Sequence, residues 1–163
     1  MGDRPDIILR FDVADESGTA AFATRLASAL KPGDIVALDG TLGAGKTALA
    51  RALINALPGE PEDVPSPTFT LVQTYDRGDL EIWHFDLYRI EDPEDVFELG
   101  IEDAFADAVS LIEWPERMGS LLPSKNLNVR IEEISTGRRI TLSGNDEWRR
   151  RFETVFAETA LHG

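Results

Sequence analysis

The sequence predicts an α/β fold built as a three-layer sandwich: a mixed sheet, parallel at its core and extended by antiparallel strands, with helices on both faces. Three observations carry this. Gly40-Thr41-Leu42-Gly43-Ala44-Gly45-Lys46-Thr47 fits G-x-x-x-x-G-K-[ST]. The apolar run Ile35-Val36-Ala37-Leu38 directly before it reads as a buried strand. After it, Leu49, Leu53 and Leu57 fall at i, i+4 and i+8, one face of a helix over Thr47 to Leu57.

Together these are the strand, loop and helix of a phosphate-binding P-loop, so the fold expected is P-loop NTPase-like, with residues 1–163 as one domain. The motif alone arises by chance in about one chain in 200 of this length; the flanking strand and helix give it weight. Glycines let the backbone N–H groups turn inward toward phosphate oxygens. The following helix adds its positive N-terminal end. Lys46 is placed to reach the β- and γ-phosphates, and the Thr47 hydroxyl to ligate magnesium.

The other elements follow in order. Ile7-Ile8-Leu9 and Phe11 mark a first strand over Asp6 to Asp12. Asp15 to Leu30 reads as a helix with Ser17 as its N-cap and Phe22, Leu26 and Leu30 on one face; Lys31-Pro32-Gly33 stops it. Pro58 to Asp63 is a loop. Pro65-Ser66-Pro67 keeps the chain extended into a strand over Thr68 to Tyr75, rich in β-formers. Asp76-Arg77-Gly78-Asp79 is a hairpin turn. In the next strand, Leu80 to Leu87, Ile82, His84 and Asp86 share one face and Trp83, Phe85 and Leu87 the other.

Pro93 opens a short helix through Glu98, closed by Gly100, and Ile101 to Ala106 is a further helical turn. Val109 to Glu113 is an apolar strand ending in an acid. Leu127 to Ile134 and Arg138 to Leu142 form a hairpin around Ser135-Thr136-Gly137, and Asp146 to Ala160 is a last helix after Gly144-Asn145. There is no internal repeat and no low-complexity segment.

Composition narrows the function. A chain of 163 residues can bury a real core. With no cysteine, disulfides, Cys-based zinc sites and thiol catalysis are excluded. No apolar run approaches the ~20 residues of a membrane span, and Asp3-Arg4-Pro5-Asp6 lacks the apolar core of a signal peptide, so a cytoplasmic protein is expected. The net charge of −14 argues against autonomous nucleic-acid binding, which needs a basic footprint. The compact basic cluster Arg149-Arg150-Arg151 reads either as a solvated helix face or as a partner contact.

Hydrolysis or transfer needs acids near the phosphates. Glu113, at the carboxyl end of a buried strand, has the position of a magnesium-holding acid, where ligands gather in open α/β sheets; the alternative is an acid facing solvent. Asp86 lies in an aromatic-rich strand, where an idle carboxylate is costly to bury. It serves magnesium-bound water or water activation, or else pairs with Arg89 or is simply exposed. His84 shares its face and reads either as a hydrogen-bonded core histidine or as a catalytic one. Ser66 and Thr68 sit where a P-loop switch senses the γ-phosphate, or in a plain turn. Trp114 stacks on a nucleotide or caps the core.

The ordered set of motifs resembles one family: the bacterial TsaE (YjeE) ATPases of tRNA threonylcarbamoyladenosine synthesis. The segments that carry the likeness are Gly40 to Thr47, Ser66 to Val72, His84-Phe85-Asp86-Leu87-Tyr88-Arg89 and Glu113-Trp114-Pro115, with Asp92-Pro93-Glu94 and Leu99-Gly100-Ile101. It runs from about Asp15 to about Ile131. Two places depart from the family's usual pattern: Thr41, where an acid is usual, and Ala48, where a second Thr is usual.

The resemblance implies an ATPase, weak alone, that binds a complex of TsaB and TsaD. TsaD transfers the threonylcarbamoyl group to an adenosine beside the tRNA anticodon, and the ATPase supports turnover of the complex. ATP and Mg2+ are the implied ligands, and tRNA would be met only through the partners. Gly43, Ala44, Gly45, Lys46 and Thr47 match the nucleotide loop, with Ala48 expected at the nucleotide by position though not by residue type; Thr47 and Glu113 match the magnesium residues, and Lys46, Asp86 and Glu113 the catalytic set. Thr19, in the pattern Asp15-Glu16-x-x-Thr19, resembles a contact near the base, and Arg138 or Arg139 another, with Arg139 preferred.

Two rivals stay open. A small-molecule kinase would share the loop and the acid but needs an acceptor pocket and an arginine-bearing lid; Arg89, Arg117 and Arg138 are too scattered to mark one. A nucleotide-gated binding module would switch a partner through Ser66 to Thr70 with negligible hydrolysis.

Overall fold

A computed structural model describes residues 6–41 and 45–156. The P-loop residues Leu42, Gly43 and Ala44, and the expected helix beyond Phe156, lie outside the described residues.

The elements are β1 (Asp6–Val13), α1 (Glu16–Ala29), β2 (Ile35–Asp39), α2 (Lys46–Ala56), β3 (Val72–Arg77), β4 (Leu80–Asp86), α3 (Ile101–Asp107), β5 (Val109–Glu113), β6 (Leu127–Ile134), β7 (Gly137–Gly144) and α4 (Asp146–Val155), with 3₁₀ segments at Pro93–Leu99 and Pro115–Leu121. The strands form one sheet in the order β1-β7-β6-β2-β5-β4-β3. Its centre, β6-β2-β5-β4, is parallel; β7 and β1 at one edge and β3 at the other are antiparallel. The mixed sheet expected from sequence is what forms.

Strand alternation sorts the apolar residues into two layers. Val36 and Leu38 of β2, Val109 and Leu111 of β5, and Ile82 of β4 pack with α1, α2 and α4. Ile35, Phe85, Leu87 and Ile112 pack on the opposite face with α3 and the two 3₁₀ segments. On α2, Leu49, Ala50, Leu53 and Ile54 are buried against the sheet. Truncating one such leucine to alanine costs about 2–5 kcal/mol, so the helix carrying the P-loop lysine is firmly seated.

Two local expectations are corrected. The cap of α1 is Asp15, not Ser17: Asp15 Oδ1 accepts from the Gly18 N–H at 3.0 Å, because a carboxylate one turn back satisfies the orphan donor directly. And β3 begins at Val72, not Thr68. Residues Pro67–Thr70 form a turn closed by the Leu71 N–H donating to the Pro67 carbonyl at 2.7 Å. Local β-propensity yields there to a tertiary contact described below.

Arg149-Arg150-Arg151 is not simply a solvated face. Arg151 donates to Asp34 at 2.6 and 3.2 Å and to the Ala29 carbonyl at 3.1 Å, while its guanidinium lies 4.1 Å from the Trp148 ring centre. It ties α4 to the end of α1 and the start of β2.

Candidate functional site

The parallel core sends β2, β4 and β5 toward the same end of the sheet, where ligands bind in open α/β folds. β2 delivers the chain to Gly40, and α2 starts at Lys46 with Gly45 as N-cap. Gly45 has φ +107°, and a Cβ there would come within 3.1 Å of Arg138 Nε. The left-handed backbone is what calls for glycine; a Cβ would in addition push the Arg138 side chain aside by a few tenths of an ångström. The first-turn N–H groups of α2 are orphan donors with the positive end of the helix behind them.

Lys46 is 5% exposed. Its Nζ donates to the Gly40 carbonyl at 2.9 Å and lies 3.5 Å from the centre of the Trp114 ring. Burial pushes the ammonium below the ordinary lysine range, while Glu113, Glu116, Asp86 and Asp39 pull it back. The charge is desolvated enough to favour an anion brought to it.

The acids come from the ends of neighbouring parallel strands, with Asp86 of β4 in register beside Glu113 of β5. Both are buried. Thr47 Oγ1 donates to Glu113 Oε1 and Oε2 at 2.9 and 3.0 Å. His84 Nε2 stands 2.6 Å from Glu113 Oε2. Asp86 does not pair with Arg89. Its Oδ2 accepts from Thr68 Oγ1 at 2.9 Å and its Oδ1 from the Tyr88 N–H at 3.0 Å; Arg89 instead lies over the exposed Phe69 ring.

The Thr68–Asp86 bond holds the 67–70 turn in place, and Ser66 Oγ joins Thr68 Oγ1 at 2.7 Å. Two non-glycine residues among those described have positive φ, Leu71 at 70° and Trp114 at 59°. Both flank these acids. Such conformations cost about 1–3 kcal/mol each and cluster at functional sites.

A cavity of about 340 Å³ brings together Lys46, Thr47, Ser66, Thr68, Asp86 and Glu113, with Trp114 and Tyr88 on its wall. A second cavity of about 470 Å³ adjoins it and shares Gly45 and Ala48. Thr19, Asp15 and Arg138 line it. The structure brings Arg138 there, not Arg139. Arg139 faces the other side of β7 and donates to Asp12 at 2.8 and 3.1 Å. Gly43 and Ala44 lie outside the described residues.

Sequence reading missed the seat of Lys46 on Trp114, the tilted packing of Trp114 on Tyr88 at 4.9 Å between ring centres, and the use of the Tyr88 N–H by Asp86. No spacing signals the first two. The third is a two-residue Asx contact that the Asp86-Leu87-Tyr88 stretch permits.

Among the described residues, no group of three or more His, Cys, Asp or Glu side chains converges to cage a metal ion. Magnesium bound together with phosphates needs only one or two protein oxygens, and the Thr47 hydroxyl beside the Glu113 carboxylate fits that requirement. Among the same residues, no helix is long and apolar enough to cross a membrane.

Comparison with known proteins gives one consistent result. The family model described as "Threonylcarbamoyl adenosine biosynthesis protein TsaE" matches residues 13–140. Proteins named tRNA threonylcarbamoyladenosine biosynthesis protein TsaE are similar over most of their length. That of Rickettsia felis is 43% identical over 126 residues, 77% of this chain and 74% of the relative. That of Bacillus subtilis is 34% identical over 158 residues, 94% and 95% of the two chains. The crystal structure of Bacillus subtilis YdiB superposes with a TM-score of 0.79 at 27% identity, covering 95% of this chain and 97% of that one.

Proposed function

The chain belongs to the TsaE family, and on that premise we propose that it acts in tRNA N6-threonylcarbamoyladenosine synthesis as a magnesium-dependent ATPase, weak alone, working with the TsaB–TsaD complex to support its turnover. One observation carries the ATP chemistry: Lys46, Thr47, Asp86 and Glu113 meet in a single cavity at the N-terminus of α2.

Each residue has a role that its place supports. The α2 N–H groups and Lys46 would receive the β- and γ-phosphates, with Lys46 exchanging its bond to the Gly40 carbonyl for phosphate oxygens. Thr47 and Glu113 would hold Mg2+, which supplies positive charge against the phosphate oxygens. Lys46 and the loop amides would stabilise charge that develops as the γ-phosphate leaves. Asp86, fixed by Thr68 and by the Tyr88 N–H, would orient the attacking water. The cavity lined by Thr19 and Arg138 would take the nucleoside. With a net charge of −14, the chain would leave tRNA contact to its partners.

The test is reconstitution with TsaB, TsaD and a tRNA substrate over many rounds. Wild type should sustain accumulation of modified tRNA, whereas Lys46→Ala should stall after about one round per complex. Equal yields from the two proteins would sink the reading.

A second reading rests on a specific contact. Asp86 is tied to the 67–70 turn through Thr68, so an arriving phosphate could reset that turn and gate a partner without hydrolysis. Under that reading Glu113→Ala supports tRNA modification as long as ATP still binds; loss of modification with binding retained argues for hydrolysis.

A further inference from the structure

We propose that His84 is a positioning residue: through Nε2 it holds Glu113 in the orientation in which the carboxylate and the Thr47 hydroxyl together receive Mg2+. The inference rests on the magnesium-ATP reading above and adds a residue to it.

His84 is fully buried, on the face of β4 that looks toward α2. Nothing in core packing requires a histidine there, and its neighbours Ile82 and Leu111 are apolar. Its Nε2 is 2.6 Å from Glu113 Oε2. An ionised carboxylate only accepts, so Nε2 carries the proton and donates. Nδ1 has no partner among the described residues. The ring is thus held by one polar contact, and that contact is to the acid. Leaving a buried ring nitrogen unpaired is unfavourable, which makes a purely structural use of histidine at this position a poor choice.

The consequence for Glu113 is specific. Thr47 has one hydroxyl proton, shared between Oε1 and Oε2. His84 takes up a lone pair of Oε2 only. The carboxylate is therefore fixed in rotation, with Oε1 the less engaged oxygen. Removing the imidazole donor frees the carboxylate to turn and leaves Oε2 short of a donor. Groups that orient a metal-binding side chain typically change metal affinity by about 10–100-fold when lost.

The experiment titrates Mg2+ against ATP binding by calorimetry, in wild type, His84→Leu, His84→Asn and His84→Gln. Glutamine can place an amide nitrogen near the Nε2 position; asparagine, being shorter, cannot. ATP affinity in EDTA is measured alongside, and thermal unfolding reports the folded fraction. His84→Leu and His84→Asn should raise the Mg2+ concentration at half effect by about 10–100-fold, with ATP affinity in EDTA within about twofold of wild type, and His84→Gln should restore most of the loss. If His84→Leu does not fold, His84→Asn decides. An unchanged Mg2+ midpoint in the folded donor-free variants, or no recovery with glutamine, overturns the positioning role while leaving magnesium-ATP binding intact. A wild-type protein whose ATP binding ignores Mg2+ overturns the magnesium reading, and the positioning role falls with it.

Discussion

Thr47 and Glu113 stand 66 residues apart in sequence, yet one hydroxyl proton is shared between the two oxygens of one carboxylate, at 2.9 and 3.0 Å. The contact joins the helix that follows the P-loop to the end of strand β5. It is made possible by the parallel pairing of β2 with β5, which brings both to the same end of the sheet.

Glu113→Gln keeps the shape of that side chain and removes its charge. The expected outcome is a fall in ATP turnover of about 100-fold or more, comparable with losing one preorganised electrostatic contact in an active site. Nucleotide affinity in EDTA should change little. Steady-state kinetics beside a binding titration separate the two effects.

Arg138 and Arg139 should behave differently. Arg138 lines the cavity beside Gly45 and Thr19, while Arg139 is engaged with Asp12 across the β1–β7 pair. Arg138→Ala should weaken ATP binding by about tenfold, the scale of one charge-assisted hydrogen bond. Arg139→Ala should leave it within about twofold. The reverse pattern would move the nucleoside away from this cavity.

These two arginines were separable in the sequence. Arg138 shares its strand face with the apolar Ile140 and Leu142, which pack with the helices, while Arg139 shares the other with Thr141 and Ser143, so period-2 alternation already favoured Arg138. Elsewhere, where the pattern was strong, the reading held. Val109–Glu113 and Leu127–Ile134 are strands with the expected limits, and Ile82, His84 and Asp86 do share a face. The start of β3 was misplaced because Thr68 is held by Asp86, 18 residues further on, and local propensity cannot register that bond. His84 was legible as a residue on the Asp86 face; its partner Glu113, on another strand, was not.

Arg77 is the buried cation of the non-catalytic edge. It donates to the Leu57 and Glu60 carbonyls and to Glu62 at 2.7–3.0 Å, pinning the chain that leaves α2 to the end of β3. Arg77→Met should destabilise the fold by about 1–3 kcal/mol, the cost of leaving a buried carbonyl without a donor. ATP binding measured well below the melting temperature should be unaffected. Denaturant unfolding supplies the first quantity.

The Asp12–Arg139 pair gives a pH dependence with a definite sign. The hydrogen bond from Arg139 holds the Asp12 carboxyl below the usual carboxylate range. A lowered folded-state value means that the contribution to stability is present above the unfolded-state pKa, about 3.9, and is lost as pH falls through the folded value. The melting temperature of wild type should exceed that of Asp12→Asn at pH 7, and the gap should close in acid. A gap that widens as pH falls would contradict this.

The most direct test of the central proposal is ATP turnover by the purified protein, alone and with the TsaB–TsaD complex, in wild type and Lys46→Ala. The expected result is slow turnover alone, clear stimulation by the complex, and loss of both in Lys46→Ala. Tight ATP binding with no turnover in either condition would contradict a partner-coupled ATPase and favour a switch that works by binding alone.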